Sequence, residues 1–211
     1  MTNIRKRLMA HQTAAAVILA SLSSAVGSSA CAQAVNRTPT LAVEQVLEPI
    51  EQGRSSSGAS VVLLQRGKYP ARQIESLVVA LDRLVTTAPT AIARVSAAQA
   101  LASAAAGVGP VPGVFDRLIF AYRRTDESLV RRIVVTQMQN QHDRVRAIAF
   151  LKEIASKPTA RQDFDGAART AVETLSFMGD DGRTALYELH SRGAIADAAA
   201  SAYANWFLSK K

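Results

Sequence analysis

Cysteine is almost missing from this chain of 211 residues: Cys31 is the only one. One thiol excludes an internal disulfide and any multi-thiolate metal site. Histidine is nearly as scarce, with three residues, and none has a second His or Cys at metal-ligand spacing. Aromatic residues make up 5% of the chain and tryptophan occurs once, so any core is built from aliphatic side chains and alanine. No G-x-S-x-G, H-E-x-x-H or P-loop sequence occurs. The usual signatures of serine hydrolases, zinc proteases and phosphate-binding enzymes are therefore lacking. The glycine-rich stretch "GVGPVPG" at 107–113 follows a helical segment, and its prolines offer no amide to a phosphate, so it reads as a connector.

What the chain does have begins at its N-terminus. Arg5, Lys6 and Arg7 precede the apolar run "AAAVILASLSSAVG" and the small residues "SSACAQA". Charged start, apolar middle and small-residue end make the layout of a secretory signal, and Ala32 and Ala34 satisfy the A-x-A cleavage rule. The expectation is export to the periplasm or the extracellular space, with residues 1–34 removed. Cys31 then goes with the signal. The alternative is a lipoprotein signal ending at Cys31; Ser29 and Ala30 suit it, while Ser28 stands where Leu is usual. Membrane association is expected only in that case, because every later apolar stretch is broken by charge and none approaches the ~20 residues of a bilayer span. Cleavage leaves 177 residues, enough for one domain. It lowers the formal charge from +8 to +5, since the segment holds three cations and no acid. Mild basicity in an exported protein gives no reason to expect nucleic acid as a partner.

Alanine abundance and 3.6-residue periodicity predict an all-α chain. Residues 35–69 read as a helical extension and linker: Val43, Val46, Leu47 and Ile50 share a helix face that Pro49 should kink or end, "GRSSSGAS" at 53–60 reads as linker, and "VVLLQRG" at 61–67 as a short helix stopped by Gly67. From 70 to 211 the pattern is regular. Ile74, Leu77, Val78, Leu81, Leu84 and Val85 form one stripe, and Phe115, Leu118, Ile119 and Tyr122 another. Asp143 and either Asp163 or Asp165 begin later helices, one of them running through Met178 to a stop at Gly179; "DDGR" reads as a turn, and Ile195 to Leu208 as the last helix. Four helical hairpins result, at about 70–106, 113–139, 143–178 and 181–208. Leu81, Leu101, Ile119, Val134, Leu175 and Trp206 are expected between their stacked helices.

The second helices of the first three hairpins align. "ARVSAAQAL", "VRRIVVTQM" and "ARTAVETL" place Arg94, Arg131 and Arg169 at intervals of 37 and 38 residues, ahead of small residues and then Leu101, Met138 and Leu175. Two helices per unit at such a period signal a helical solenoid. These segments resemble HEAT repeats, whose second helix tends to read Val-Arg, small residues, then Leu about seven positions after the Arg. "ARTAVETL" is one residue short, "DRVRAIAFL" carries Asp and Val-Arg on a first helix, and Asp197 stands where the last Arg would be. The resemblance covers about 70–208 and implies a right-handed α–α superhelix; the competing fold is an irregular helical bundle. It also implies that the arginines form an inter-repeat ladder with acids such as Asp126 and Asp165, a structural role that a half-buried arginine generally takes.

His142 and His190 fall in different hairpins and read as solvated, and Asp180 and Asp181 read as a turn and cap. No catalytic residue, metal ligand or cofactor is expected. Seven arginines (117, 123, 124, 131, 132, 144, 146) crowd 116–146, among Asp116, Asp126, Glu127 and Asp143. That is either a mixed solvated face or a surface for an acidic protein, an anionic lipid or a cell-wall polymer. The leading expectation is a non-enzymatic module that binds a protein; the alternatives are a lyase-like or enzyme-accessory HEAT protein and an anionic-surface binder. HEAT second helices usually line the concave side, so the resemblance points to Arg132, Thr136 and Gln139, with Gln99 and Thr170 beside them, as the binding face.

Overall fold

A computed structural model describes residues 42–106, 111–157 and 166–210. Every regular element among them is helical. In chain order these are α1 (Val43–Glu51), α2 (Ser57–Leu64), a 3-10 turn (Arg66–Lys68), α3 (Ala71–Thr87), α4 (Ala91–Ala106), α5 (Val114–Arg124), α6 (Ser128–Gln137) with a following 3-10 turn (Met138–Asn140), α7 (Arg144–Ser156), α8 (Ala167–Ser176), α9 (Gly179–Ser191) and α10 (Ala198–Ser209).

The four expected hairpins are α3–α4, α5–α6, α7–α8 and α9–α10, and each pair is packed together. Successive second helices also touch, α4 on α6, α6 on α8 and α8 on α10, while α3 packs on α5 and α7 on α9. The alanines of α4 explain its central place. Ala93, Ala97, Ala98, Ala100, Ala102, Ala104 and Ala105 are buried around most of its circumference. Small side chains let axes approach closely, and α4 contacts α2, α3, α5 and α6.

Residues 43–64 are more than an extension. Helices α1 and α2 form a further pair that continues the packing: α1 rests on α3 and α4, and α2 lies along α4. Leu47, Ile50, Ala59, Val62 and Leu63 are buried there. The serine-rich stretch contributes its last residues to α2, whose start is supported by Ser55 Oγ accepting from the Ser57 amide at 3.1 Å. Pro49 lies within α1, which ends two residues later.

All six residues of the α3 stripe are buried, and so are Leu101, Val134 and Leu175. Ile119 is half-buried against that core. Trp206 is a correction. It is 51% exposed, because Ala200 and Ala204 supply the buried face of α10 and leave the indole outside, under the Lys210 ammonium. Helix α10 also starts later than Ile195 suggests; Asp197 caps it by accepting from the Ala200 amide at 2.7 Å, as Asp143 caps α7. Asp163 and Asp165 lie outside the described residues.

Helix α8 ends at Ser176, and Gly179, with φ of 66°, opens α9. Gly182 is buried inside α9 rather than in a turn. A Cβ there would overlap the Leu175 carbonyl oxygen and stand 2.8 Å from Met178 Cβ. The corner between the two helices closes only on a residue without a side chain.

Candidate functional site

Arg94 precedes Leu101 by seven residues, and Arg131 precedes Met138 by the same interval. Seven residues are two helical turns, so each pair shares a face. Leu101 and Met138 are fully buried, and the side chains of the two arginines are 23% exposed. Arg94 Nη1 donates to the Ala88 carbonyl at 2.6 Å, and Arg131 Nε donates to the Thr125 carbonyl at 2.9 Å. Ala88 and Thr125 cap the C-termini of α3 and α5, where carbonyls lack helical partners. Each arginine therefore ties the start of its second helix to the end of its own first helix.

Arg94 also reaches the next hairpin by pairing with Glu127, the residue before α6. The acid at that rung is Glu127 and not Asp126. Asp126 is fully solvated, 3.9 Å from Arg131 of its own hairpin. Arg169 departs from the pattern: it is 61% exposed and pairs with Glu173 of its own helix at 2.8 Å.

The face named by sequence is the outer stripe of α4 and α6. Arg94 and Arg131 set the register: Ile92, Val95 and Gln99 correspond to Leu129, Arg132 and Thr136. Ile92 is 65% and Leu129 54% exposed. Gln99, Arg132 and Thr136 are exposed, and Val95 is half-buried. Gln99 accepts from Ser56 Oγ at 3.4 Å, so the foot of α2 borders the stripe. Gln139, in the 3-10 turn, is half-buried. Thr170 is half-buried and spends its hydroxyl on the Gly166 carbonyl at 3.0 Å. The stripe thus gathers Gln99, Arg132 and Thr136, with Gln139 at its end, and leaves Thr170 occupied within its own helix. Sequence reasoning missed its two large apolar members, Ile92 and Leu129; their signal was the position two residues before the repeat arginine.

The arginine-rich centre is largely neutralised from within. Arg117 pairs with Asp82 at 2.7 Å, Arg123 with Glu153 at 3.5 Å, Arg144 with Asp181 at 3.6 Å, and Arg146 with Asp116. Arg124 lies over the Phe120 ring. Arg132 takes no ion pair among the described residues. Several of these pairs cross hairpins, as does Lys152–Glu188 at 2.6 Å. Lys152, by hydrogen bond and charge, holds the Glu188 carboxyl below the usual range. Lys157 first, and Arg123 with it, do the same for Glu153.

Among the described residues no cluster of His, Cys, Asp and Glu is arranged to hold a metal, and no helix is long and apolar enough to cross a membrane. His142 is exposed and His190 half-buried. No family model, curated protein or solved structure matches this chain.

Proposed function

We propose that the chain is an exported, non-enzymatic protein-binding module, built as a HEAT-like right-handed superhelix whose second helices form the recognition face. Support for the superhelix comes from two hairpins that repeat one arginine-to-carbonyl bond, 37 residues apart, and from second helices that touch in chain order. A stack of this kind offers an extended surface without needing a pocket. The observation that carries the binding reading is the paired stripe of α4 and α6. It sets two exposed aliphatic side chains, Ile92 and Leu129, beside Arg132, a cation with no ion pair among the described residues, and the polar Gln99 and Thr136. Protein interfaces combine an apolar centre with a polar rim, and arginine is enriched in them. An acidic patch bordered by apolar residues is the complementary surface.

Residues 1–34 serve in this reading as the export signal, and intact-mass measurement of the exported protein should find Val35 at the N-terminus; a lipid-modified Cys31 would place it on a membrane instead. The binding face is tested by placing a photo-crosslinker at Thr136 and, as control, at Val145, an exposed residue of the first-helix layer. Adducts should form from Thr136, vanish with Arg132→Glu and Gln139→Ala, and be absent from Val145. The same adducts from both positions would reject the face.

A further inference from the structure

Aromatic residues make up 5% of the chain, yet two exposed rings fall in the same phase on neighbouring helices. Ala171 and Leu175 are buried on α8, and Ala200 and Ala204 are buried on α10. The spacing is the same in both helices, so the inward faces correspond. Two residues past Leu175 stands Phe177, 74% exposed, and two past Ala204 stands Trp206, 51% exposed. Helix α8 packs directly on α10. Phe177 and Trp206 therefore hold equivalent outward places toward the ends of adjoining helices. The same place is taken by Ser103 on α4 and Asn140 after α6, two residues past Leu101 and Met138. The row is polar across the earlier units and aromatic across the last two.

Tyr203 joins the two rings. It belongs to α10, and its hydroxyl lies 3.2 Å from Ser176 Oγ of α8, so its side chain spans the joint between the helices. Its ring also meets the Trp206 ring at 5.5 Å, tilted by 42°. The Lys210 ammonium lies over the indole as well. These contacts fix the orientation of Trp206 while leaving half of it in water. One exposed apolar residue is ordinary, but adjoining ones form a patch of the kind that marks a contact surface. The charged residues of α8 and α10 and their caps are Arg169, Glu173, Asp197 and Lys210, and they sum to zero. Arg169 and Glu173 satisfy each other, and Asp197 accepts from the Ala200 amide. The surface thus asks for an uncharged, apolar contact.

Spacing narrows the choice. Packed helices lie about 8–10 Å apart, so equivalent side chains on α8 and α10 are separated by about that distance. A polyproline II segment advances roughly 9 Å per turn of three residues. Every third residue then faces the same way at the interval of the two rings. Proline rings are apolar, and their C–H faces pack on the electron-rich face of an aromatic ring. A backbone already held in this conformation loses little freedom on binding. Its carbonyls have no internal partners, and the Trp206 indole N–H donates to no acceptor among the described residues. The geometry points to Phe177, Tyr203 and Trp206 as a seat for a proline-rich segment of a partner protein, with prolines three residues apart on Phe177 and Trp206. Aromatic surfaces recognise such segments in other proteins. The seat lies on the last two units and does not rest on the α4–α6 stripe.

Trp206 is the only tryptophan of the chain, so its fluorescence reports on the seat directly. Acetylated and amidated nonaproline, titrated into the folded protein, should shift the emission to the blue as it covers the indole. A Gly-Ser peptide of equal length should not. A repeat of Pro-Ala-Ala should bind, and a Pro-Ala-Ala-Ala repeat of similar length should not, because only the first keeps its prolines on one face. Phe177→Ala removes an exposed ring, so the helical spectrum should be unchanged. It should weaken nonaproline about tenfold, the scale of losing an aromatic anchor. Arg132→Glu should leave nonaproline binding as it is, which separates the seat from the α4–α6 face. No response to nonaproline, an equal response to the Gly-Ser peptide, or full affinity in Phe177→Ala would each overturn the assignment. Tighter binding of a cellulose or chitin hexasaccharide than of nonaproline would overturn it too, and would give the rings to a glycan.

Discussion

Arg131 and Arg169 occupy the same place in two similar stretches of sequence, yet one is tucked under its helix and the other stands in water. The difference is one residue. Leu101, Met138 and Leu175 are all fully buried and fix the inward face of α4, α6 and α8. Seven residues before them stand Arg94, Arg131 and Ala168. Arg169 is only six before Leu175, and one position turns a side chain by about 100° around a helix of 3.6 residues per turn. The half-buried spot goes to Ala168, and Arg169 swings out to Glu173. A repeated letter at a repeated interval marks a structural role only when its phase to the buried face repeats as well.

The largest effects should show that both halves nevertheless share one kind of core. Leu101→Ala and Leu175→Ala should each cost about 2–5 kcal/mol, the usual range for a buried leucine. Chemical denaturation measures both. A loss at only one of them would mean that the hairpins are held in different ways. Gly182→Ala should come next, at about 1–3 kcal/mol or more, because the added methyl meets backbone. Gly67→Ala, where a Cβ meets nothing within 4 Å, is its control and should be close to neutral.

The arginines then separate the regions. Arg94→Met and Arg131→Met each remove a bond to a helix-terminal carbonyl, and a hydrogen bond from a charged donor is worth about 1.5–3 kcal/mol. Arg169→Met loses only an exposed pair and should leave stability close to unchanged. Equal losses at all three positions would contradict the phase argument.

Periodicity made most of the fold legible. The α3 stripe, the four hairpins and the cap at Asp143 follow from local chemistry that the sequence displays directly, whereas the cap at Asp197 was passed over for a helix start at Ile195. The N-terminal pair was harder to read, since the serines that look like linker are also good helix starters. Trp206 misled because its size suggests burial, whereas its neighbours two and six residues back, both alanines, fill the inner face. Gly182 was read as a turn because nothing in "DDGR" reveals a carbonyl from the preceding helix pressed against it. Of the candidate face, Arg132, Thr136 and Gln99 follow from counting along the repeat, and that count fails at Thr170 for the reason it fails at Arg169.

The smallest effect concerns pH, and it distinguishes the hairpin pairs from the other direction. In the C-terminal half, charge crosses hairpins through Lys152 and Glu188. Glu188 is held below the usual carboxylate range in the folded protein. A depressed folded value means that the folded state binds fewer protons than the unfolded one. The resulting stabilisation is fully present above the unfolded value of about 4.3 and is lost as pH falls through the folded value. The pair is solvated, so the contribution is modest and weakens with salt. A double-mutant cycle of Lys152→Met and Glu188→Gln should therefore give a favourable coupling at pH 7 and none at about pH 2, well under the ordinary glutamate range. The Arg94 rung offers the contrast. Its bond to the Ala88 carbonyl involves no titrating acceptor, so the cost of Arg94→Met should include a part that persists at low pH. If the cost of Arg94→Met disappears at pH 2 together with the Lys152–Glu188 coupling, Glu127 alone accounts for the Arg94 contribution, and the arginine-to-carbonyl tie that unites the central hairpins carries no weight.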